Sequence, residues 1–249
     1  ENLYDLYSRL SNAFHYLLVS SKEGDNAREY LKKRNVSQEM IEKFQLGYAP
    51  FNKDWLYNFL KNKGYSDAFL KQSGLFSQKS EKWPLFRGRL MFPIRDRQGR
   101  TIAFSGRDLT GDEKSPKYIN SPETQIYQKK ENYFGLYEAK NTIAEGKIGP
   151  ILCEGNFDVV SMHQAGYTSA IASLGTSFTN EQCANMKKWY PNNQVFNILY
   201  DSDAAGQKST ERALLKIKRK GFEQRVHKLS TAKDANELLD LCGEKKKKN

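Results

Sequence analysis

The sequence predicts an α/β protein in which a parallel sheet flanked by helices follows a basic α+β subdomain. Beyond residue 149, short apolar runs alternate with amphipathic stretches, as in strands joined by crossover helices. Before that point, apolar residues recur mainly at helical spacing, interrupted by one hairpin-like run. The first 140 residues carry 24 Lys+Arg against 17 Asp+Glu in a chain of net charge +11. A basic first half suggests a polyanionic partner, and an ordinary solvated basic surface is the alternative.

Length and composition indicate a soluble globular chain. The 249 residues correspond to one large or two small domains, and 38% hydrophobic residues suffice for a core. No run approaches the ~18 apolar residues of a membrane helix, and the chain does not open with a basic-then-apolar leader. We therefore expect a cytoplasmic protein with no membrane partner. We predict a basic subdomain over 1–145, a catalytic subdomain over 146–231, and a short helix with a Lys-rich tail over 232–249.

Three widely spaced cysteines, Cys153, Cys183 and Cys242, form no C-x-x-C pair. This spacing does not favour a disulfide framework or a zinc site. We expect all three to be reduced and at least partly buried.

The basic half contains short helices and one hairpin. Helical spacing predicts helices over 3–20, 25–33, 37–44, 55–63, 66–73 and 132–145. Residues 89–95 and 101–105 read as strands joined by the turn 96–99, so they predict a hairpin. Residues 111–120 read as a polar loop.

The second half alternates strands and helices. Strands are predicted over 150–153, 169–173, 195–200 and 223–229, and helices over 158–166, 179–190, 204–220 and 235–242. This alternation implies a parallel sheet with right-handed crossovers.

Acidic residues follow the ends of three of these strands. Glu154 ends the first, Asp201 and Asp203 end the third, and Asp234 follows the fourth. Parallel sheets bind their ligands at the carboxyl ends of the strands, where these acidic residues lie. Carboxylates that lie close together repel one another unless a cation lies between them. These side chains provide only oxygen ligands, which favours Mg²⁺ or Mn²⁺ as the bound cation. The alternative for a single residue is a helix N-cap, which Asp203 and Asp158 can each provide.

Three motifs carry a family resemblance: Glu154-Gly-Asn-Phe-Asp158, Ser173-Leu-Gly-Thr-Ser177 and Asp201-Ser-Asp203-Ala-Ala-Gly206. At these spacings they resemble the Toprim fold. The segments Arg87–Arg107, Pro116–Thr124 and Gly135–Ala139 are similar to the catalytic core of bacterial DnaG-type primases. The resemblance implies synthesis of RNA primers on single-stranded DNA from ribonucleoside triphosphates. It also implies a replicative helicase as a partner, through a domain absent from this sequence.

The resemblance further implies the site residues. It assigns catalysis to Glu154, Asp201 and Asp203. It also implies that these three residues, together with Asp158 and Asp234, bind two or more Mg²⁺ ions and no zinc. Template and nucleotide binding falls to Arg34, Arg107, Lys117, Tyr118, Asn120 and Lys129.

One departure concerns the last ligand motif. The family usually has Asp-Pro-Asp there, whereas this chain has Lys233-Asp-Ala-Asn-Glu237, so Asn236 offers a carbonyl oxygen without charge. Two other functions stay open, a Toprim nuclease and a non-catalytic Toprim DNA-binding scaffold.

Overall fold

The structure is a computed structural model that describes residues 1–229, and these residues form two compact units. The first unit comprises residues 1–31 and 45–128, and the second comprises residues 32–44 and 129 onward. The predicted boundary after residue 145 falls inside the second unit, because Leu136 and Ile143 lie in that unit's hydrophobic core.

The first unit combines helices with an antiparallel sheet. Its helices are α1 (Leu3–Ser20), α2 (Asp25–Lys33, whose last two residues belong to the second unit), α4 (Trp55–Asn62) and α5 (Asp67–Lys71). Its strands are β1 (Gly47–Ala49), β2 (Phe76–Ser77), β3 (Ser80–Pro84), β4 (Arg89–Arg95), β5 (Thr101–Asp108) and β6 (Tyr118–Asn120). The larger sheet has the order β1-β4-β5-β6, and β2 pairs with β3.

The predicted hairpin is confirmed as β4 and β5, which pair antiparallel. Asp96 holds the turn, since its Oδ1 accepts hydrogen bonds from the main-chain N–H groups of Gln98 and Arg100. The apolar face of α1 covers the sheet. Tyr7 and Phe14 place their rings 5.5 and 5.4 Å from the ring of Phe104.

Short strands depart from the predictions. The segment 111–120 is not wholly loop, because Tyr118–Asn120 pairs with β5 at the sheet edge. Strand β1 and the β2–β3 hairpin were not predicted either. These strands have two to five residues, and β3 is mostly exposed, so no alternation of apolar and polar residues marks them.

The second unit is the predicted parallel sheet with its helices. Its strands are β7 (Ile151–Cys153), β8 (Ala170–Ala172), β9 (Val195–Leu199) and β10 (Glu223–Val226), in the order β10-β9-β7-β8. Its helices are α3 (Gln38–Lys43), α6 (Leu136–Glu145), α7 (Asn156–Gln164), α8 (Asn180–Trp189) and α9 (Ala204–Arg219). All three strand pairings are parallel.

Two helices begin two or more residues away from their predicted starts. Helix α6 begins at Leu136 and not at residue 132, because Phe134 is extended and exchanges hydrogen bonds of 2.9 and 3.0 Å with Ala172 at the edge of β8. Helix α7 begins two residues before Asp158, so Asp158 is not its N-cap.

The cysteine prediction is confirmed for Cys153 and Cys183, which are buried and free. Cys242 and the predicted helix 235–242 lie outside the described residues. Within residues 1–229, no helix is both long and apolar enough to cross a membrane.

Candidate active site

The ends of β7 and β9 bring Glu154 and Asp201 together. These strands are neighbours in the sheet, with Cys153 paired to Leu199, so both acidic residues follow at the same edge. Oε2 of Glu154 accepts a hydrogen bond of 3.0 Å from the main-chain N–H of Asp201. The predicted adjacency of these two strand ends is therefore present.

Asp203 is the N-cap of α9, as one of the two interpretations of this residue predicts. Its Oδ1 accepts a hydrogen bond of 2.8 Å from the main-chain N–H of Gly206. Gly206 packs so closely against the main-chain carbonyl of Asp201 that a β-carbon there would overlap it. This steric requirement explains the glycine of the Asp-x-Asp-x-x-Gly motif, which the sequence showed only as part of a resemblance.

Asp158 lies in the first turn of α7. Its Oδ2 accepts a hydrogen bond of 3.2 Å from the main-chain N–H of Gly155, the N-cap residue. The side chain therefore secures the start of the helix that follows Glu154.

The four predicted ligands that lie within the described residues do not form a group of three that could hold a metal ion. Within residues 1–229, no three Asp, Glu, His or Cys side chains lie close enough to hold a metal ion. Glu154, Asp158 and Asp203 each accept a main-chain N–H instead, which satisfies carboxylates that would otherwise repel one another. The metal-ligand roles of these residues and of Asp201 stay a prediction, and Asp234 and Asn236 lie outside the described residues.

The donor chemistry at this edge suits a hard dication. Glu154, Asp201 and Asp203 offer only oxygen atoms. The neighbouring sulfur is a poor ligand, since burial, with the charges of Asp158 and Asp201, raises the pKa of the Cys153 thiol well above its usual value. A metal bound here would therefore meet oxygen ligands.

Four of the predicted template-binding residues lie on β5, β6 and the residue before β6, in the first unit. Arg107 pairs with Tyr118 across the two strands, and its guanidinium carbon lies 5.7 Å from the centre of the Tyr118 ring. Tyr118 is 37% exposed. Asn120 is two residues further on, which places it on the same face of the strand as Tyr118. Lys117 is exposed immediately before the strand.

Arg89 is a buried residue that sequence reasoning did not assign to the site. Its guanidinium donates hydrogen bonds to the carbonyl oxygens of Gly106 and Pro116 and to the hydroxyl of Ser115, at 2.9–3.0 Å. These bonds hold the segment that leads into β6, and so position Lys117 and Tyr118. The available signal was a charged residue at the start of a strand whose five central residues are apolar.

The other two predicted binding residues lie in the second unit. Arg34 stacks on Phe157, with its guanidinium carbon 4.3 Å from the ring centre. Lys129 is half-buried in the short 3₁₀ helix Lys129–Glu131.

Comparison with known proteins places this architecture in a family. Residues 14–140 match the family described as "DNA primase catalytic core, N-terminal domain", and residues 151–239 match a family described as "Toprim-like". The part of the second unit from residue 151 onward is thus Toprim-like. The chain as a whole belongs to the DNA primase catalytic core family.

Individual proteins give the extent of the similarity. The DNA primase of Treponema pallidum is 38% identical over 242 residues, which cover 97% of this chain and 39% of that protein. The solved RNA polymerase domain of Mycobacterium tuberculosis primase has a TM-score of 0.88 at 30% identity, covering 98% of this chain and 80% of that one. A DnaG primase catalytic domain bound to single-stranded DNA has a TM-score of 0.83 at 34% identity, covering 99% of this chain and 76% of that one. The chain thus spans about two fifths of the length of that curated relative.

Proposed function

We propose that this chain is a metal-dependent nucleotidyltransferase that makes short RNA primers on single-stranded DNA during DNA replication. Its substrates would be ribonucleoside triphosphates. The observation that carries the proposal is the hydrogen-bonded adjacency of Glu154 and Asp201 at two parallel strand ends, in a chain of the primase family. Parallel sheets bind ligands at this edge.

The carboxylates have the proposed role of holding Mg²⁺ or Mn²⁺, in two or more ions. Glu154, Asp201 and Asp203 would be the main ligands and Asp158 a supporting one, with Asp234 and Asn236 contributing from beyond the described residues. When bound, such ions lower the pKa of the attacking 3′-hydroxyl and neutralise charge on the triphosphate. The residues of the chain orient the ions and the two reacting groups.

The template has a proposed surface on β5 and β6. Arg107 and Lys117 would neutralise phosphates, which positions a strand without reading its sequence. Tyr118 would stack on a base, with Asn120 as a hydrogen-bonding neighbour. Arg34 and Lys129 are proposed as further contacts. Support comes from the similar catalytic domain that was solved with single-stranded DNA.

The cellular setting is part of the proposal. Primer synthesis in a bacterium would take place at the replication fork in the cytoplasm. The replicative helicase is a proposed partner through a further domain.

The test is ribonucleotide incorporation by the purified chain on a single-stranded oligonucleotide with Mg²⁺. Glu154→Gln keeps an oxygen for the N–H of Asp201 but removes the charge, so we expect labelled product to fall about a hundredfold or more. Glu181→Gln, at an exposed position of α8, is the matched control and should retain synthesis. Circular dichroism checks that both variants fold.

Three outcomes would contradict the proposal. Near-normal synthesis by folded Glu154→Gln would remove Glu154 from catalysis. Nicking of DNA by the unmodified chain, without ribonucleotide incorporation, would favour a Toprim nuclease, and binding of DNA with neither reaction would favour a scaffold.

A further inference from the structure

A cavity of about 290 Å³ opens beside Glu154 in the second unit. It lies between the carboxyl ends of β7, β8 and β9 and the middle of α9. Its walls include Glu154, Thr176, Ser177, Ser209 and Arg212. Pockets for whole small molecules measure roughly 300–1,000 Å³, so this volume suits a compact group better than an entire nucleotide.

One wall of the cavity consists of hydrogen-bond donors. Thr176 and Ser177 are exposed in the loop after β8, and Ser209 and Arg212 lie three residues apart on one face of α9. Within the described part of the chain, none of these four side chains has a hydrogen-bond or ion-pair partner. A guanidinium and three hydroxyls thus face the cavity with their donors available.

The wall is fixed in place before any ligand arrives. Phe178 closes the loop, with its ring buried 5.5 Å from that of Phe196. Nζ of Lys216 on α9 donates a hydrogen bond of 2.6 Å to the carbonyl oxygen of Phe178. The hydroxyl of Ser173 donates a hydrogen bond of 3.3 Å to Oε1 of Gln182, which secures the other end of the loop after β8. Loop and helix are therefore tied together, and little ordering would be needed on binding.

The opposite side of the cavity carries the carboxylate of Glu154. A bare anion at Arg212 would be repelled by this charge, and a bare cation at Glu154 would leave the donors unused. A polyphosphate chelated to a divalent cation satisfies both sides. The ion meets the carboxylate, and the phosphate oxygens meet Arg212, whose planar guanidinium matches phosphate geometry, and the hydroxyls.

We propose that this cavity binds the terminal diphosphate of the incoming ribonucleoside triphosphate, and the pyrophosphate that leaves, with Arg212 as its principal anchor. The inference rests on the proposed function and deepens it, because it assigns a substrate subsite to residues outside the predicted set. Ser209 and Thr176 would add hydrogen bonds to the same phosphates.

The test is calorimetric binding of inorganic pyrophosphate to the full chain in excess Mg²⁺. We expect Arg212→Gln to weaken this binding about tenfold to a hundredfold, the range for a lost charge-assisted hydrogen bond. Arg219→Gln removes the same charge from the last turn of the same helix, away from the cavity lining, and should bind as the unmodified chain does. Arg212 is exposed, so its replacement should leave the thermal unfolding temperature unchanged.

Ligand arms distinguish the source of the phosphates. A ribonucleoside triphosphate should lose affinity in Arg212→Gln as pyrophosphate does, whereas a ribonucleoside monophosphate should show no difference. Equal pyrophosphate binding by Arg212→Gln and the unmodified chain would overturn the inference, as would an equal loss in Arg219→Gln.

The outcome is separable from that of the proposed function. The chain could bind pyrophosphate in an Arg212-dependent way and yet incorporate no ribonucleotide. That result would overturn primer synthesis and leave the cavity assignment standing. Primer synthesis that depends on Glu154, with pyrophosphate binding indifferent to Arg212, would overturn the cavity assignment alone.

Discussion

The main-chain N–H of Asp201 donates a 3.0 Å hydrogen bond to the side-chain carboxylate of Glu154. The bond joins the ends of two adjacent parallel strands, and it holds the glutamate over the turn that leads into α9. The hydrogen bond from the main chain therefore fixes the position of the Glu154 side chain, whereas its negative charge comes from the carboxylate itself. A substitution that keeps the accepting oxygen and removes the charge tests the effect of the charge without changing the position.

Asp203 offers the first prediction, because it is both an N-cap and a proposed ligand. Asp203→Ala should lower the free energy of unfolding by about 1 kcal/mol through loss of the cap, whereas Asp203→Asn retains a capping oxygen and should be nearly neutral. Both variants should lose Mg²⁺-dependent primer synthesis. Urea denaturation and ribonucleotide incorporation measure the two effects. Normal synthesis by Asp203→Asn would leave Asp203 with the structural role only.

Gly206→Ala should destabilise the chain although alanine favours helices. The added methyl group would overlap the carbonyl of Asp201, and overpacking of this kind costs about 1–3 kcal/mol. Ala205→Ser, at an exposed position in the same turn, is the control and should change stability by less. An unchanged urea midpoint for Gly206→Ala would show that the turn relaxes without cost.

The template surface makes a prediction about salt dependence. Lys117→Ala should reduce the slope of log affinity for single-stranded DNA against log salt concentration by about 0.7, one phosphate contact. Tyr118→Ala should weaken binding by about 1–3 kcal/mol with the slope unchanged, because stacking carries no net charge. Lys22→Ala, an exposed lysine elsewhere in the first unit, is the control. Fluorescence anisotropy across a salt series provides the data, and a flat salt response of the unmodified chain would contradict the proposed surface.

The environment of His163 predicts that the stability of the fold decreases in acid. Its Nε2 donates to the carbonyl oxygen of Ala170, and Nζ of Lys43 lies 3.0 Å from Nδ1, so the ring is neutral. Burial lowers the pKa of His163 to about 4. The unfolded chain therefore binds a proton that the folded chain does not, and stability should fall as pH drops from about 6.5 toward 4, by at most about 1.4 kcal/mol per pH unit.

The measurement is the free energy of unfolding as a function of pH. His163→Gln should flatten the curve in this window, whereas His15→Gln, at a histidine that is only half-buried, is the substitution control. Parallel curves for His163→Gln and the unmodified chain would remove His163 as the cause.

Much of the architecture follows from periodic patterns. Helix α1 buries Leu6, Leu10 and Phe14 at helical spacing, and β4 is an apolar run, so both were predictable. The strands β1 and β6 were not, because three residues are too few to show a period. The start of α6 depended on Phe134 pairing with Ala172, a contact between distant residues that no local pattern encodes.

The site shows the same division. Parallel topology predicted that Glu154 and Asp201 would meet, and they do. Which N–H each carboxylate accepts depends on local backbone geometry, so the pairing of Asp203 with Gly206 was predictable only as a capping alternative. Arg212 is one of two exposed arginines on α9, and only the fold places it in a cavity with Glu154.

The second unit draws on two stretches of chain with residues 45–128 between them. The side chain of Gln164 on α7 joins them, since it accepts from the N–H of Ser37 and donates to the carbonyl of Asn35, at 2.9 and 2.7 Å. On the ribosome, α3 therefore emerges well before α7 exists, with Met40 and Ile41 still uncovered. We expect the nascent chain to finish its first unit before its second. A gene truncated to begin at residue 129 would encode a Toprim-like half in which Gln164 has lost both of these bonds.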